Sequence, residues 1–370
     1  MRFSCLQENL AIGVATVARL AVRATHLPVL SNVLLKIEDK ALNLMATNLE
    51  MGLQYAVRGK VEEDGESLVP ARLLLELVPL LPAGPLTITT NEQGILIRTK
   101  KETTVLRTSP AVDFPIIPTI DQPISTTELP LMQFKTAIAQ VSIATGKIEQ
   151  RPELNGLYLQ LDGKNVTVTA TDGYRLAEAS LTLTQKAARQ LKIIIPSEAA
   201  DEVERVLAAA EGEPGATLTT TESQICLMAG SSRLTSRVIN GDYPDYLPLF
   251  PSQSATTCRF DRSEFTRTVK AALLFSRAGA SDIKLATGVN ELIVSAESSD
   301  VGTFRTTVPA AVNGPALDLA LNARYLLDGL NVAGGAEAIL TFTASDRPVL
   351  LTPAVVGDVS LRYLIMPIRQ

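Results

Sequence analysis

The stretch TATDGYRL, residues 169–176, decides how the chain is read. It closes a strand in which Val166, Val168 and Ala170 share one face and Thr167 and Thr169 the other. That period of two is the pattern of a half-buried strand. Asp172 and Gly173 follow as a turn pair, the glycine being free to take positive φ. Tyr174 and Arg175 come next and read as exposed, side-chain types that anchor partners when a rigid strand presents them. Taken alone, this is also what an ordinary hairpin turn with a surface arginine looks like.

The same unit occurs three times. LLKIEDKALNLMATNLE from Leu34, LYLQLDGKNVTVTATDGY from Leu157 and IKLATGVNELIVSAESSD from Ile283 each hold two alternating strands around a polar turn. Leu42, Leu44 and Ala46 fall in register with Val166, Val168 and Ala170, 124 residues on, and with Leu292, Val294 and Ala296, a further 126 on. A helix is expected to start at Pro70, Pro196 and Asn322, spaced 126 and 126. Proline is preorganised for a first helical turn and asparagine is a good cap. Apolar residues at helical spacing predict buried faces of Leu73, Leu74, Leu77 and Leu81, then Ala199, Ala200, Val203 and Leu207, then Tyr325, Leu326 and Leu330. An opening helix is expected over 7–18, 131–144 and 261–275, with Asp261 or Ser263 as the third cap. Short strands follow each second helix, at 86–90 and 95–99, 216–219 and 225–228, and 338–343 and 349–352.

Linkers rich in Pro, Thr and Ser separate the copies: FPIIPTIDQPISTTELP, ending at Pro130, and YPDYLPLFPSQSATT, ending at Thr257. The period is the size of a domain, too long for a solenoid. The expected architecture is α+β: three duplicated domains, 1–121, 122–250 and 251–370, each with two helices packed on antiparallel sheets. Two such chains joined head to tail would close a ring. Twelve helices spaced ~9 Å apart would line a bore roughly 35 Å across between axes, wide enough for a duplex once helix width is removed.

Composition narrows the function. The chain has 370 residues, 46% hydrophobic and 20% charged, with a net charge of −5. That balance argues against gripping DNA by overall positive charge. Aromatics are 4% and tryptophan is absent, which argues against stacking on single strands. No apolar run reaches eighteen residues, and Glu8 interrupts any signal-like segment, so neither membrane span nor export is expected and the cytoplasm is the expected location. Cys5, Cys226 and Cys258 are scattered and read as reduced thiols. His26 is the only histidine, and neither a Gly-rich phosphate loop nor a Cys-x-x-Cys pair is present. Glu62, Glu63 and Asp64 read as a solvated turn. Glu198, Asp201, Glu202 and Glu204 read as a solvated helix face, with a carboxylate metal site as the alternative. No catalytic residue, metal or cofactor is expected.

The residues resemble the bacterial DNA polymerase III β subunit, the sliding-clamp family. The resemblance is carried by THLPVLSNVLL from Thr25, ATNLE from Ala46, VPARLLLELVPLLP from Val69, LNGLYLQL from Leu154 and ATDGYRLA from Ala170. GDYPDY from Gly241, LNARYLLDGL from Leu321 and YLIMPIR from Tyr363 complete it. It spans the whole chain, triplication included. It implies three clamp-type domains forming half of a ring, and a head-to-tail homodimer that encircles duplex DNA without sequence preference. It implies no catalysis, only the tethering of replicative polymerase subunits, the clamp loader and other clamp-binding proteins. Acidity then belongs outside and a mildly basic surface within, because a strong grip would stop sliding.

By that resemblance, Arg23, Arg72, Lys135, Lys147, Gln150, Arg151 and Arg205 are DNA-facing, with Lys270 beside them. A protein-binding pocket would comprise Leu154, Thr171, Gly173, Tyr174, Arg175, Leu176, Pro244, Leu249, Asn322, Tyr325, Pro348, Met366, Pro367, Ile368 and Arg369. Its apolar walls suit a short peptide ending in apolar residues. The alternative is that Met366, Pro367 and Ile368 simply close the last strand. Leu106 would face Leu274 and Phe275 across the ring-closing interface; alternatively all three belong to intradomain cores. Ser197 and Glu198 depart from the basic residues often found there in the family. Tyr174 stands where some members have histidine, and Pro248 and Leu249 where some have Arg-Val. A scaffold of three domains that binds no DNA, and an enzyme using the acidic helix, are the competing functional readings.

Overall fold

The computed structural model describes residues 1–23, 27–120, 122–146, 148, 150–277 and 279–368, with Arg23 described in its backbone only. Six α-helices lie among them: α1 Gln7–Arg23, α2 Ala71–Leu77, α3 Leu131–Ser142, α4 Ser197–Ala209, α5 Arg262–Leu273 and α6 Ala323–Val332. They alternate with antiparallel strands in a pattern that repeats three times. A strand precedes each opening helix, Arg2–Leu6, Ser125–Pro130 and Thr256–Asp261, and sequence reading missed all three. They are short and half polar, and only pairing with a distant strand holds them. Ser125–Pro130, for example, pairs with Gly215–Thr220.

The chain forms two compact units, 1–132 with 201–238 and 133–200 with 239–370. In the first unit a five-stranded sheet contains Arg2–Leu6, and an eight-stranded sheet runs from Ser125–Pro130 to Glu66–Pro70. Within the latter, Ser232–Arg237 of the middle repeat pairs with Met51–Val57 of the first. In the second unit one twelve-stranded sheet contains the pairing of Arg175–Thr182 with Ser360–Ile365 of the third repeat. The compact units therefore follow the sheets rather than the repeats.

The repeat positions behave as the alternation demands. Leu42, Leu44, Ala46, Val166, Val168, Ala170, Leu292 and Val294 are each fully buried, and Ala296 nearly so. Thr169, expected on a solvent face, is also fully buried, because its hydroxyl donates to the Tyr246 hydroxyl at 2.9 Å. Helix ends follow their local chemistry. The Asp261 carboxylate accepts from Glu264 N–H at 2.7 Å and caps α5. The Asn322 side chain accepts from the Arg324 and Tyr325 amides and caps α6.

Pro70 and Pro196 are not first-turn residues as expected. Each ends a strand and the helix opens one residue later. α2 stops at Leu77 and tightens into a 3₁₀ turn, Val78–Leu80, where Pro79 has no amide to continue the ladder. Its buried face consequently passes through Leu74, Val78 and Leu81, leaving Leu73 exposed rather than buried.

After each second helix the chain returns to bridge the strand that led into it: Leu68 with Ser109, Ile194 with Ile239, and Ala320 with Ile368. The final segment thus takes, in the third repeat, the place of the linkers in the first two. On α6, Gly329 lets the Tyr363 ring approach. A Cβ there would lie 2.5 Å from two ring carbons. In an exposed helix Gly→Ala stabilises by ~1 kcal/mol. Here Gly329→Ala is expected to reverse that sign and lower stability by about 1–3 kcal/mol through overpacking, read as a fall in thermal midpoint.

Candidate functional site

The turn at 171–175 is built by its own side chains. Asp172 Oδ1 accepts from Tyr174 N–H at 2.9 Å and Arg175 N–H at 3.0 Å. Thr171 Oγ1 donates to the Arg175 carbonyl at 2.6 Å and accepts from Gly173 N–H at 3.1 Å. Gly173 takes φ +86°, with open space where a Cβ would sit, so the backbone conformation alone calls for glycine. Tyr174 is left 66% exposed.

Arg175 is not the exposed arginine its sequence context suggests. Its Nε donates to Asp172 Oδ2 at 2.9 Å and its Nη1 to Asp328 Oδ2 at 2.5 Å. Nη1 also lies 3.4 Å from the Tyr363 hydroxyl, and the guanidinium carbon sits 4.4 Å from the Tyr325 ring centre. Burial works against the charge. The Tyr363 hydroxyl, with Asp328 and Asp172, outweighs that and holds the guanidinium protonated more firmly than usual. Tyr363 is itself fixed by donating to the Tyr325 carbonyl at 2.9 Å, and burial pushes its phenol up. The guanidinium is thereby held over the Tyr325 ring and against the Tyr363 hydroxyl, a platform beside an exposed tyrosine.

The C-terminal segment closes this platform. Met366 N–H donates to the Tyr174 carbonyl at 2.9 Å and Ile368 N–H to the Ala320 carbonyl at 2.8 Å. Met366 and Ile368 remain 41% and 37% exposed, so the segment pairs through its backbone yet keeps apolar side chains at the surface. Leu249 and Tyr174 add exposed apolar area, while Leu154 and Leu176 are buried. Thr171, Pro244, Asn322, Tyr325, Pro348 and Pro367 are half-buried, and Gly173 is exposed. Arg369 lies outside the described residues.

Behind Leu176, Tyr158, Ile194, Tyr246 and Leu364 form a buried cluster, joined by Tyr243 and Phe250. Tyr158 and Tyr243 stack at 4.5 Å and 3°. The Tyr246 hydroxyl donates to Glu178 Oε2 at 2.8 Å, and Glu178 pairs with Arg362, whose guanidinium lies 3.8 Å from the Phe250 ring centre. Sequence reasoning missed Glu178, Asp328 and Arg362. The only local signal was a lone glutamate among the small and apolar residues of RLAEASLT. Its partner becomes visible only when strand register sets Glu178 opposite Arg362.

The basic residues are mostly compensated locally. Arg72 pairs with Glu76 at 3.0 Å, Arg151 with Glu153 at 3.1 Å and Arg205 with Glu202 at 3.2 Å. Pairs like those of Arg72 and Arg151, at the surface, contribute only about 0–1 kcal/mol each and exchange readily for another anion. Lys135 is half-buried, and Gln150 and Lys270 are exposed. Lys147 lies outside the described residues, and α1 ends at Arg23. Among the described residues no group of three or more acidic, cysteine or histidine side chains is placed to hold a metal.

Among the strands that lack a full set of partners, two lie beside exposed apolar side chains. In the first unit, Thr103–Leu106 pairs only with Gly94–Arg98. Leu106 is buried at 4% within the chain, whereas Val105 points out at 44%. In the second unit, Gly302–Asn313 pairs along one side with Glu291–Ser298, while Thr256–Asp261 covers only its last residues on the other. Near that edge Phe275 stacks on Phe304 at 5.5 Å, and Leu274 is 72% exposed. An unpaired edge beside exposed apolar side chains is a template for another strand.

Three family profiles match in succession. They are the N-terminal domain of the DNA polymerase III beta subunit over 1–118, its central domain over 128–245 and its C-terminal domain over 248–369. The chain belongs to the DNA polymerase III beta subunit family. The beta sliding clamp of Streptomyces coelicolor is 30% identical over 381 residues, covering 100% of this chain and 99% of the relative. That of Synechocystis is 28% identical over 392 residues, with the same coverage. The Pseudomonas aeruginosa sliding clamp bound to griselimycin superposes with a TM-score of 0.92 at 28% identity over 100% of both chains. Family membership makes this chain a DNA sliding clamp, a processivity factor without catalysis. Its fold is three clamp-type domains of antiparallel sheets, with six α-helices among the described residues.

The Arg175 platform is expected to act as a unit. A double-mutant cycle of Arg175→Ala and Asp328→Asn, followed by denaturant unfolding, should give a coupling of about 0.5–3 kcal/mol. Additive effects would mean that the two side chains do not depend on each other.

Proposed function

We propose that two copies of this chain join head to tail into a ring around duplex DNA, which slides without sequence preference and tethers replicative polymerase and other DNA enzymes. The single observation that carries this is the threefold repeat together with an open sheet edge at Thr103–Leu106 and the part of Gly302–Asn313 that Thr256–Asp261 leaves unpaired. The three repeats are the clamp domains 1–121, 122–250 and 251–370. Ring closure uses Leu274 and Phe275, with Leu106 supporting the facing strand from inside its own sheet.

Arg23, Arg72, Lys135, Lys147, Gln150, Arg151 and Arg205 face the duplex. Their charges are offset by neighbouring carboxylates where pairs are seen, which suits a surface that meets phosphates without gripping them. A topological link then supplies the processivity that contact energy does not.

Partner proteins dock on the platform made by Thr171, Gly173, Tyr174, Arg175, Leu176, Tyr325 and the 366–368 segment, flanked by Leu154, Pro244, Leu249, Asn322, Pro348 and Arg369. Exposed apolar side chains there receive the apolar end of a short peptide. Polymerase subunits, the clamp loader and other proteins carrying such a motif are the partners. The site of action is the cytoplasm, and no described helix is long and apolar enough to cross a membrane.

Three measurements test this reading. The loaded protein should stay on closed circular DNA and leave when the circle is cut, with retention little changed by salt; salt-labile binding that ignores cutting would overturn the ring. Leu274→Asp should shift sedimentation from dimer towards monomer, since burying a leucine contributes about 1.5–3 kcal/mol. Arg175→Ala, or loss of residues 366–370, should weaken polymerase-peptide binding by roughly tenfold or more, about 1.4 kcal/mol per decade, while leaving the dimer intact.

A further inference from the structure

We infer that the first unit carries a second peptide notch, built from the same repeat positions as the docking platform and selective for an uncharged, extended segment of a partner protein. The inference rests in part on the platform at 171–175 being a docking site.

A cavity of about 380 Å³ opens beside the turn at 47–51. That turn reproduces the hydrogen bonds of its counterpart 124 residues later. Thr47 Oγ1 donates to the Met51 carbonyl at 2.7 Å and accepts from Leu49 N–H at 3.1 Å. Asn48 Oδ1 accepts from Glu50 N–H at 3.1 Å and Met51 N–H at 2.8 Å. Arg237 N–H donates to the Glu50 carbonyl at 3.1 Å, as Met366 N–H does to the Tyr174 carbonyl. Pro115, in Asp113-Phe114-Pro115, and Gln224 line the cavity at the repeat positions of Pro244, in Asp242-Tyr243-Pro244, and Pro348.

What differs is the lining. Leu49 stands where the platform has Gly173, and it is held at φ +75°, a conformation costly for leucine, with half its surface exposed. Ile116, 93% exposed, stands on the linker beside it. Ile117 packs onto Gly52, a lining residue, where a Cβ would sit 2.4 Å from its Cγ2. The result is an apolar wall of Leu49, Pro115, Ile116 and Pro118. Gln224, also on the lining, brings an amide that matches a peptide main chain. Glu50 and Arg237, both exposed, place one charge of each sign on the rim. Their fields cancel at a short distance, so the notch favours a neutral ligand with a branched apolar side chain. The platform instead offers the aromatic rings and locked arginine described above.

The test is a titration of the isotopically labelled full-length protein with the capped neutral pentapeptide acetyl-Ser-Leu-Val-Leu-Gly-amide, followed by amide chemical shifts. The amides of Leu49, Glu50 and Ile116 should move and saturate, and Ile116→Asp should weaken that response about tenfold while leaving any response of Tyr174 and Met366 unchanged. Movement of Tyr174 and Met366 alone would overturn this notch but not the platform. Movement at Leu49 and Ile116 alone would support the notch and count against the platform. A response that survives Ile116→Asp, or the same shifts on raising protein concentration without peptide, would also overturn it, the latter assigning the surface to a second copy.

Discussion

The antiparallel ladder between Arg175–Thr182 and Ser360–Ile365 is the constraint on which the docking platform depends. It joins strands almost two hundred residues apart and makes one sheet of the middle and third repeats. Because residues in a ladder are fixed in register, it brings the 171–175 turn beside the last residues of the chain. The same register sets Glu178 against Arg362 on one part of the sheet and Arg175 against Ile365 at its end. A slip of one residue would turn both sets of side chains to the wrong face. Backbone pairing therefore fixes the place of a site whose chemistry is carried by side chains.

Around that ladder, polar groups are held inside apolar surroundings and are satisfied by one another. Glu178 is 5% exposed yet meets Tyr246 and Arg362. Arg175 is shielded yet meets two carboxylates, the Tyr325 ring and the Tyr363 hydroxyl. Buried ionic groups contribute little net stability once desolvation is counted, but losing one partner leaves the other stranded. Their effect is to fix geometry. The aromatic and apolar groups left at the surface, Tyr174, Leu249, Met366 and Ile368, then project from that frame.

Much of the fold was legible because it is repeated. Local alternation of Leu42, Leu44 and Ala46, copied twice more, marks buried faces without any need for the partner strands, and burial bears this out. Caps at Asp261 and Asn322 were legible because capping is a contact over two or three residues. The three strands that open the repeats were not, since they depend on partners up to 95 residues away. Leu73 was misassigned for a related reason. Helical spacing names a face, but Pro79 and the turn after it rotate which residues complete that face.

The amino-acid sequence by itself determined the triplicated α+β plan, the family, the turn at Asp172 and Gly173, and an exposed Tyr174. All of these are written in contacts between near neighbours or in repetition. Only the tertiary structure decided that Arg175 is tied to Asp328, that Thr169 is buried under Tyr246, that Leu106 is covered within its own sheet, and that the compact units cut through the middle repeat. Each of these is set by strand pairing across long loops, and pairing at a distance leaves no periodicity in the chain to read.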